Sequence, residues 1–266
     1  EYLVNPKKAA LVTDIAATEK KIISRVSKNS CSLYISIPFC PTRCSYCSFV
    51  SFTSAKLLNL LDSYLEHLCS DIASTVVMIH KLGLTISTVY IGGGTPTTLN
   101  TKQLELLLAA VTSRADPSAL EEFTMEAGRP DTITEEKLKI IKDYGVTRIS
   151  INTQTLNNDV LELIGRKHTA EDFFRAFDMA RKAEIKHINT DLIAGPPGEG
   201  FGSFSETIDE IIRLRPDNLT FHTLCIKNAA DFAHNKNTLY MNAFSETSKC
   251  VDYSQLSAKN AGYLPY

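Results

Sequence analysis

Six short β-forming runs, each followed by a helix-forming stretch, set the strongest constraint on how this chain can fold. The runs are "LYISI" (33–37), "STVYI" (87–91), "EFTME" (122–126), "TRISI" (147–151), "HINTDLI" (187–193) and "NLTFHTL" (218–224). After the first comes a long segment, 55–83, whose apolar residues recur every three or four positions and which ends at Gly83, as a helix with a glycine stop should. The same periodicity predicts helices over 101–113, 134–143, 170–183, 203–214 and 245–261. Thr134 with Glu136 and Lys137, and Ser205 with Glu206, offer polar starts for two of them. A strand and a helix repeated six times implies parallel strands joined by right-handed crossovers, as a barrel or as a doubly wound sheet.

The residues at the strand ends separate those two architectures. Cys40, Cys44 and Cys47 follow the first strand, "GGGTPT" (92–97) the second, Glu126 closes the third, Gln154 lies just past the fourth and Asp191 is inside the fifth. In a parallel α/β barrel every strand's C-terminal end faces one way, and the loops there build the active site. Chemistry spread over five successive strands, instead of one reversal point, predicts a barrel-like arrangement over a dinucleotide-binding sheet. At 266 residues and 44% hydrophobic content, one barrel-sized core is the simplest organisation.

Several function classes are disfavoured. A net charge of -2 and the lack of a polybasic run give no field for a nucleic-acid backbone. No window approaches the roughly 18 apolar residues of a membrane span, and the first 30 residues lack a signal peptide's apolar centre, so a soluble cytoplasmic protein is expected. Seven cysteines at irregular spacing do not suggest a disulfide framework. The start on Glu1 and the stop at "GYLPY" read as those of a fragment.

"IPFCPTRCSYCSF" (37–49) carries the most specific chemistry, with three cysteines within eight positions. Iron-sulfur clusters are held by thiolates, normally one per iron, so a cubane cluster on three cysteines leaves its fourth iron open to a ligand. Pro38 and Pro41 keep the loop out of helix, and Arg43 adds positive charge beside an anionic cluster. A structural zinc site wants four ligands, and the nearest histidine is His67 in the following helix. Plain core cysteines are the other bland reading.

"YISIPFCPTRCSYCSF" resembles the cluster loop of radical S-adenosylmethionine (SAM) enzymes. "YIGGGTPT", "EAGRPD", "RISINTQTLN", "LIGRKHT" and "DLIAGPPGE" resemble, in order, the oxygen-independent coproporphyrinogen III oxidase family and, within it, the HemZ-type coproporphyrinogen dehydrogenase branch. The resemblance covers roughly 31–227 and implies an α/β fold, a partial (β/α)6 barrel of parallel strands open at one side. It divides the chain into an N-terminal helical extension (1–30), the partial barrel (31–230) and a C-terminal helical segment (231–266) read as truncated.

By the same resemblance, Cys40, Cys44 and Cys47 ligate a 4Fe-4S cluster whose open iron is chelated by SAM, and an electron from the cluster cleaves the sulfonium. Gly92, Gly93 and Gly94 let backbone approach the methionine end of SAM, and Thr95 adds a hydroxyl, although glycine runs are often only turns. Glu126 matches a SAM contact, with a solvated strand-end carboxylate as the bland alternative. Gln154, Arg166 and Asp191 match positions lining the same cavity, which in the oxidase help hold a second SAM; Arg166 could grip a carboxylate with two N–H groups. For Gln154 and Arg166 a surface role competes. Tyr34 and Tyr46 match positions beside SAM, or are ordinary core, and Thr223 is a looser match.

Outside that set the expectations are structural. His168, His187 and His222 show no metal spacing and are assigned no chemistry. Cys31, Cys69, Cys225 and Cys250 read as small buried residues. Lys227 and Arg129 could meet substrate carboxylates, but a solvated charge is the default. The implied activity is radical decarboxylation of coproporphyrinogen III to protoporphyrinogen IX, with a flavodoxin or ferredoxin as electron donor. The rival is a haem chaperone of the same superfamily: the oxidases carry a further cysteine two positions after the third ligand, where this chain has Phe49.

Overall fold

The computed structural model describes residues 3–49, 52–234 and 243–266. Its centre is a six-stranded sheet of β1 (Ser30–Ile37), β2 (Thr85–Gly93), β3 (Glu122–Glu126), β4 (Arg148–Ser150), β5 (His187–Ala194) and β6 (Asn218–Thr223). Spatial order equals chain order, and every neighbouring pair is parallel. Right-handed crossovers between consecutive strands place all the connecting helices on one face of such a sheet. The opposite face is the inside of a partial barrel, with β1 and β6 as its edges.

The helices are α1 (Pro6–Ile23), α2 (Ala55–Leu58), α3 (Leu61–Lys81), α4 (Thr101–Thr112), α5 (Glu135–Asp143), α6 (Asn158–Leu163), α7 (Ala170–Lys182), α8 (Phe201–Leu214) and α9 (Ala243–Asn260). Their apolar stripes meet the outward side chains of the strands. Ile35, Ile91, Phe123, Met125, Ile149 and Leu192 are buried against Leu65, Leu104, Leu138, Phe173 and Phe204 in one continuous core. Phe123 and Phe173 are fully enclosed, and truncating either to alanine costs about 3–5 kcal/mol.

The alternate positions of the same strands are polar. Tyr34 and Ser36 on β1, Tyr90 on β2, Thr124 and Glu126 on β3, Ser150 on β4, Asn189 and Asp191 on β5, and Thr220 and His222 on β6 occupy the other phase of the pleat. A barrel interior filled by branched apolar side chains would be a closed core. This one is built to be wet.

Local signals place most helix starts. Thr134 accepts from Lys137 N at the head of α5, and Asn100 with Gln103 and Thr169 with Asp172 form reciprocal capping boxes on α4 and α7. Two expectations need correcting. The 55–83 segment breaks at Asn59 and Leu60 into α2 and α3. Helix α8 starts at Phe201 behind Gly200, with no side-chain cap. Ser205 therefore lies inside it and turns its hydroxyl back to Gly202 O. Helix α6 has only six residues, too few for a periodicity to mark it in the sequence.

Cys250 is buried, Cys31 and Cys69 are half-buried, and Cys225 is exposed just beyond β6, so the packing role expected of it is not observed. Among the described residues, no helix is long and apolar enough to cross a membrane.

Candidate active site

The cysteine loop leaves β1 at Ile37 and is pinned at both ends by backbone bonds: Cys40 N to Phe52 O at 3.1 Å and Phe52 N to Pro38 O at 2.7 Å. A turn closed by Cys47 N to Cys44 O at 3.0 Å folds the other two cysteines together. All three thiols are free; Cys40 and Cys44 are buried and Cys47 is half-buried. Burial pushes the Cys40 thiol above its ordinary proton affinity, and charge on Cys44 and Cys47 would push it further, whereas Thr95 and Arg129 act against this. Holding three thiolates there requires a positive partner.

The glycine turn after β2 packs under this loop. A Cβ at Gly94 would lie 2.7 Å from Phe39 O and 2.9 Å from Cys40 Sγ. Gly93 has φ +108°, a conformation side chains rarely adopt, and a Cβ there would strike Ser36 Oγ at 2.6 Å. At Gly92 it would meet Tyr90 at 2.6 Å and the Glu126 carboxylate at 3.0 Å. The three glycines are thus required by close approach. Thr95, expected to offer its hydroxyl to a ligand, is buried with Oγ1 3.3 Å from Cys40 Sγ.

Glu126 and Asp191 face a common cavity of about 260 Å³ lined also by Tyr90, Thr124, Arg148 and His222. Tyr90 Oη donates to Glu126 Oε1 at 2.5 Å, and Tyr34 stacks on Tyr90 at 5.8 Å. Burial raises the proton affinity of Glu126; Asp191 adds to the rise, while Tyr90 and the Gly93 N–H oppose it. Asp191 accepts from Asn152 Nδ2 at 2.9 Å and from Asn189 Nδ2 at 2.7 Å, and His222 Nε2 is 3.9 Å away. Arg148 is paired with Glu122 at 3.2 Å. Among the described residues no Lys or Arg is within ion-pair distance of Glu126 or Asp191.

Arg166 and Gln154 are both buried, which removes the surface reading for each. Arg166 donates to Tyr46 Oη at 3.0 Å, Gly128 O at 2.8 Å and Asn152 O at 3.3 Å, tying the loops after β1, β3 and β4 together. With Nε also on Tyr46 at 3.3 Å, this arrangement leaves no free pair of N–H groups for a carboxylate. Gln154 has φ 73°, a strained state for a side-chain-bearing residue. It is held there by Gln154 N to Asp191 O at 3.1 Å and Ile193 N to Gln154 O at 3.0 Å. Tyr46 packs on a small apolar group of Val160, Leu161, Ile164 and Phe232, and the Arg166 bond does not prevent burial pushing its hydroxyl up to about 12.

The outer positions fared differently. Tyr34 is 62% exposed on the edge strand, and Thr223 is exposed at the end of β6, outside the cavity lining. Arg43 stays at the cysteine loop but is not a free cation: its Nη2 donates to Cys47 O at 3.4 Å and Ala229 O at 2.7 Å, and its Nε pairs with Asp231 at 3.2 Å. Phe232 N also bonds Ser45 O at 3.0 Å, so the loops of the two sheet edges meet at this rim. Arg129, expected to be solvated, is 3% exposed and donates to Thr42 O at 2.6 Å. His168 is buried as a structural residue, and burial with the nearby Arg166 and Arg129 lowers its pKa to about 3. His187 and His222 are exposed.

Tyr90, Asn152 and Asn189 went unnoticed in the sequence. A visible signal existed: a parallel strand buried on both faces reads as a continuous apolar run, whereas these strands alternate. The polar phase of each strand names the cavity.

Among the described residues, no three His, Cys, Asp or Glu side chains converge to hold a single ion. A cluster spreads its thiolates over separate irons and does not need that convergence. Three free thiols on one pinned loop and the buried charge of Arg129, whose field acts on Cys40, fit a 4Fe-4S group. Two unmatched carboxylates fit the cationic nucleotide. Residues 34–211 match the family model described as the radical SAM superfamily. The chain belongs to the radical SAM superfamily.

Among curated proteins, it is 36% identical to the "oxygen-independent coproporphyrinogen-III oxidase-like protein HemZ" of Bacillus subtilis, over 100% of this chain and 54% of the relative. It is 34% identical to the "heme chaperone HemW" of Lactococcus lactis, over 88% of this chain and 60% of the relative. The chain therefore spans a little over half the length of these relatives. The solved coproporphyrinogen III oxidase HemN of Escherichia coli, described as a radical SAM enzyme, superposes with a TM-score of 0.79 at 25% identity, covering 93% of this chain and 56% of that one.

Proposed function

We propose that this radical SAM chain carries the catalytic barrel of an oxygen-independent coproporphyrinogen III dehydrogenase. The reading is supported by three free thiols on the loop after β1, by the Gly92–Gly94 backbone that packs against Cys40 at one end and Glu126 at the other, and by two carboxylates in one cavity that no Lys or Arg among the described residues offsets. Cys40, Cys44 and Cys47 would hold a 4Fe-4S cluster. The chemistry this group supplies with SAM bound is one-electron cleavage of the sulfonium C–S bond and hydrogen-atom abstraction from substrate.

The chain's own residues do the positioning. By resemblance the backbone of Gly92, Gly93 and Gly94, whose Cα faces pack against Tyr90, Ser36 and the cysteine loop, would meet the methionine end of SAM, and Glu126 and Asp191 would accept from its cationic and hydroxyl groups. Tyr90 holds Glu126, Asn152 and Asn189 hold Asp191, and Arg166 fixes the three loops relative to one another. Contacts by Gln154, Tyr34 and Thr223, and a second SAM, belong to this proposal on resemblance alone.

The substrate class rests on the HemZ and HemN relatives. Hydrogen abstraction from two propionate side chains, with loss of CO2 from each and passage of the remaining electron to an acceptor, yields protoporphyrinogen IX. The cavity of about 260 Å³ falls below the usual range for whole ligands of drug size, so the macrocycle would lie across the open side of the barrel with one propionate reaching in. A flavodoxin or ferredoxin would deliver the electron.

A haem-binding role is favoured by Phe49, 71% exposed beside the cysteine loop, and by the HemW relatives. Anaerobic incubation of the reduced, cluster-loaded chain with SAM and coproporphyrinogen III separates the two. Decarboxylated product supports the dehydrogenase; tight haem binding without product moves the assignment to the chaperone.

A further inference from the structure

Arg129 belongs to "EAGRPD", a motif that the SAM contacts leave largely unexplained, and it sits in the turn after β3 with 3% of its surface exposed. Its Nη2 donates to the carbonyl and hydroxyl of Thr42 at 2.6 and 2.9 Å, between Cys40 and Cys44. Its Nη1 is buried and meets no acceptor among the described residues. No carboxylate among them is within ion-pair distance of this guanidinium. A buried charge without a counter-charge is strongly unfavourable. Its field acts on Cys40, two residues from the Thr42 it holds.

Other cations near the loop are committed elsewhere. Arg43 is paired with Asp231, Arg166 is spent on Tyr46 and two carbonyls, and Lys137 Nζ donates to Thr97 O and Thr132 O. His168, whose pKa is lowered by burial and by Arg166 and Arg129, supplies no counter-charge to Arg129.

We propose that Arg129 is the fixed counter-charge of the cluster held by Cys40, Cys44 and Cys47, with Nη1 donating to it, and that it raises the cluster's reduction potential. The inference rests on the cluster assignment made above. Reduction adds one negative charge in a site of low dielectric, and a guanidinium held beside it stabilises the reduced form more than the oxidised one. The two bonds to Thr42 fix the guanidinium within the loop that carries the ligands, so the effect is built into the apo fold.

The test compares anaerobically reconstituted wild type with Arg129→Met and Arg129→Lys. One readout is the midpoint potential from a dithionite titration followed by electron paramagnetic resonance. The other is the rise in melting temperature on loading the cluster. For Arg129→Met the equilibrium constant for one-electron reduction should fall about tenfold or more, equivalent to at least about 59 mV more negative. Arg129→Lys, which keeps the charge, should fall between the two. Loading should also stabilise Arg129→Met less than wild type. A loaded Arg129→Met chain with the wild-type potential overturns the proposal. So does an equal loss of stability with and without the cluster, which reduces Arg129 to a tether for Thr42. Failure of wild type itself to take up iron and sulfide is a different result, and it removes the cluster assignment on which the inference rests.

Discussion

Replacing Gly94 by alanine adds one methyl group where the structure has no room for it. The new Cβ would stand 2.7 Å from Phe39 O, 3.0 Å from Ile37 O and 2.9 Å from Cys40 Sγ, all well inside the 3.4 Å of ordinary contact. Two of these atoms are backbone carbonyls that already accept from Thr95 N and Gly94 N at 2.8 Å, so neither can retreat without breaking the tie between the cysteine loop and the glycine turn. Overpacking of this kind costs about 1–3 kcal/mol, and the strain falls on the segment that aims Cys40. Gly202→Ala is the matched control: nothing lies within 4 Å of its Cβ and it sits in α8, where alanine gains up to about 1 kcal/mol. Urea unfolding of the metal-free chains, together with iron and sulfide content after anaerobic reconstitution, reads both effects. Gly94→Ala should lose about 1–3 kcal/mol and retain less iron per chain, with Gly202→Ala at or above wild type in both. A Gly94→Ala chain with the wild-type midpoint and full iron load would refute the claim that the cradle is set by close approach.

Tyr90→Phe removes the hydroxyl that bonds Glu126, a charge-assisted bond worth about 1.5–3 kcal/mol. SAM affinity should drop about tenfold, and because Tyr90 lowers the proton affinity of Glu126, the acidic limb of the binding profile should move to higher pH; calorimetry across pH checks both. His168 has a pKa lowered to about 3 by burial, so the stability of its neutral form is full above about 6.5 and is lost as pH falls towards 3, by about 2 kcal/mol at pH 5. His168→Leu should flatten the dependence of the melting temperature on pH over that window. Glu199 is shifted the other way, to about 7 by burial, so its contribution is full below about 4.5 and is lost as pH rises through 7, by about 3 kcal/mol at pH 8. Glu199→Gln should recover that loss at pH 8 and change little at pH 5, as thermal melts at the two pH values would show.

Which parts of this molecule could be read in advance follows from which interactions are local. Strand and helix identities come from periodicities within a dozen residues, and Gly83, Thr134 and the cysteine loop announce themselves by residue type. The placement of Cys40, Glu126 and Asp191 at one rim follows from parallel topology alone. What stayed hidden depends on partners far along the chain. Arg129 reads as a surface charge until Thr42 accepts from it across 87 positions. Arg166 reads as a ligand-binding cation until Tyr46, 120 positions away, occupies it. Arg43 reads as a free cation until Asp231, 188 positions on, pairs with it. Side-chain burial of a charge is decided by such long-range pairing, to which periodicity is blind. Tyr90, Asn152 and Asn189 lie between these cases, since the alternation that marks them is local but their bonds to the two acids are not.

The central claim is that three thiolates hold a cluster with one iron left for SAM. Electron paramagnetic resonance of the anaerobically reconstituted, dithionite-reduced chain, recorded before and after SAM is added, tests it most directly. The account predicts a brown protein with about four irons and four sulfides per chain, whose spectrum changes when SAM binds and no longer does so in Cys47→Ala. A colourless protein, or a cluster whose spectrum is indifferent to SAM, would contradict it.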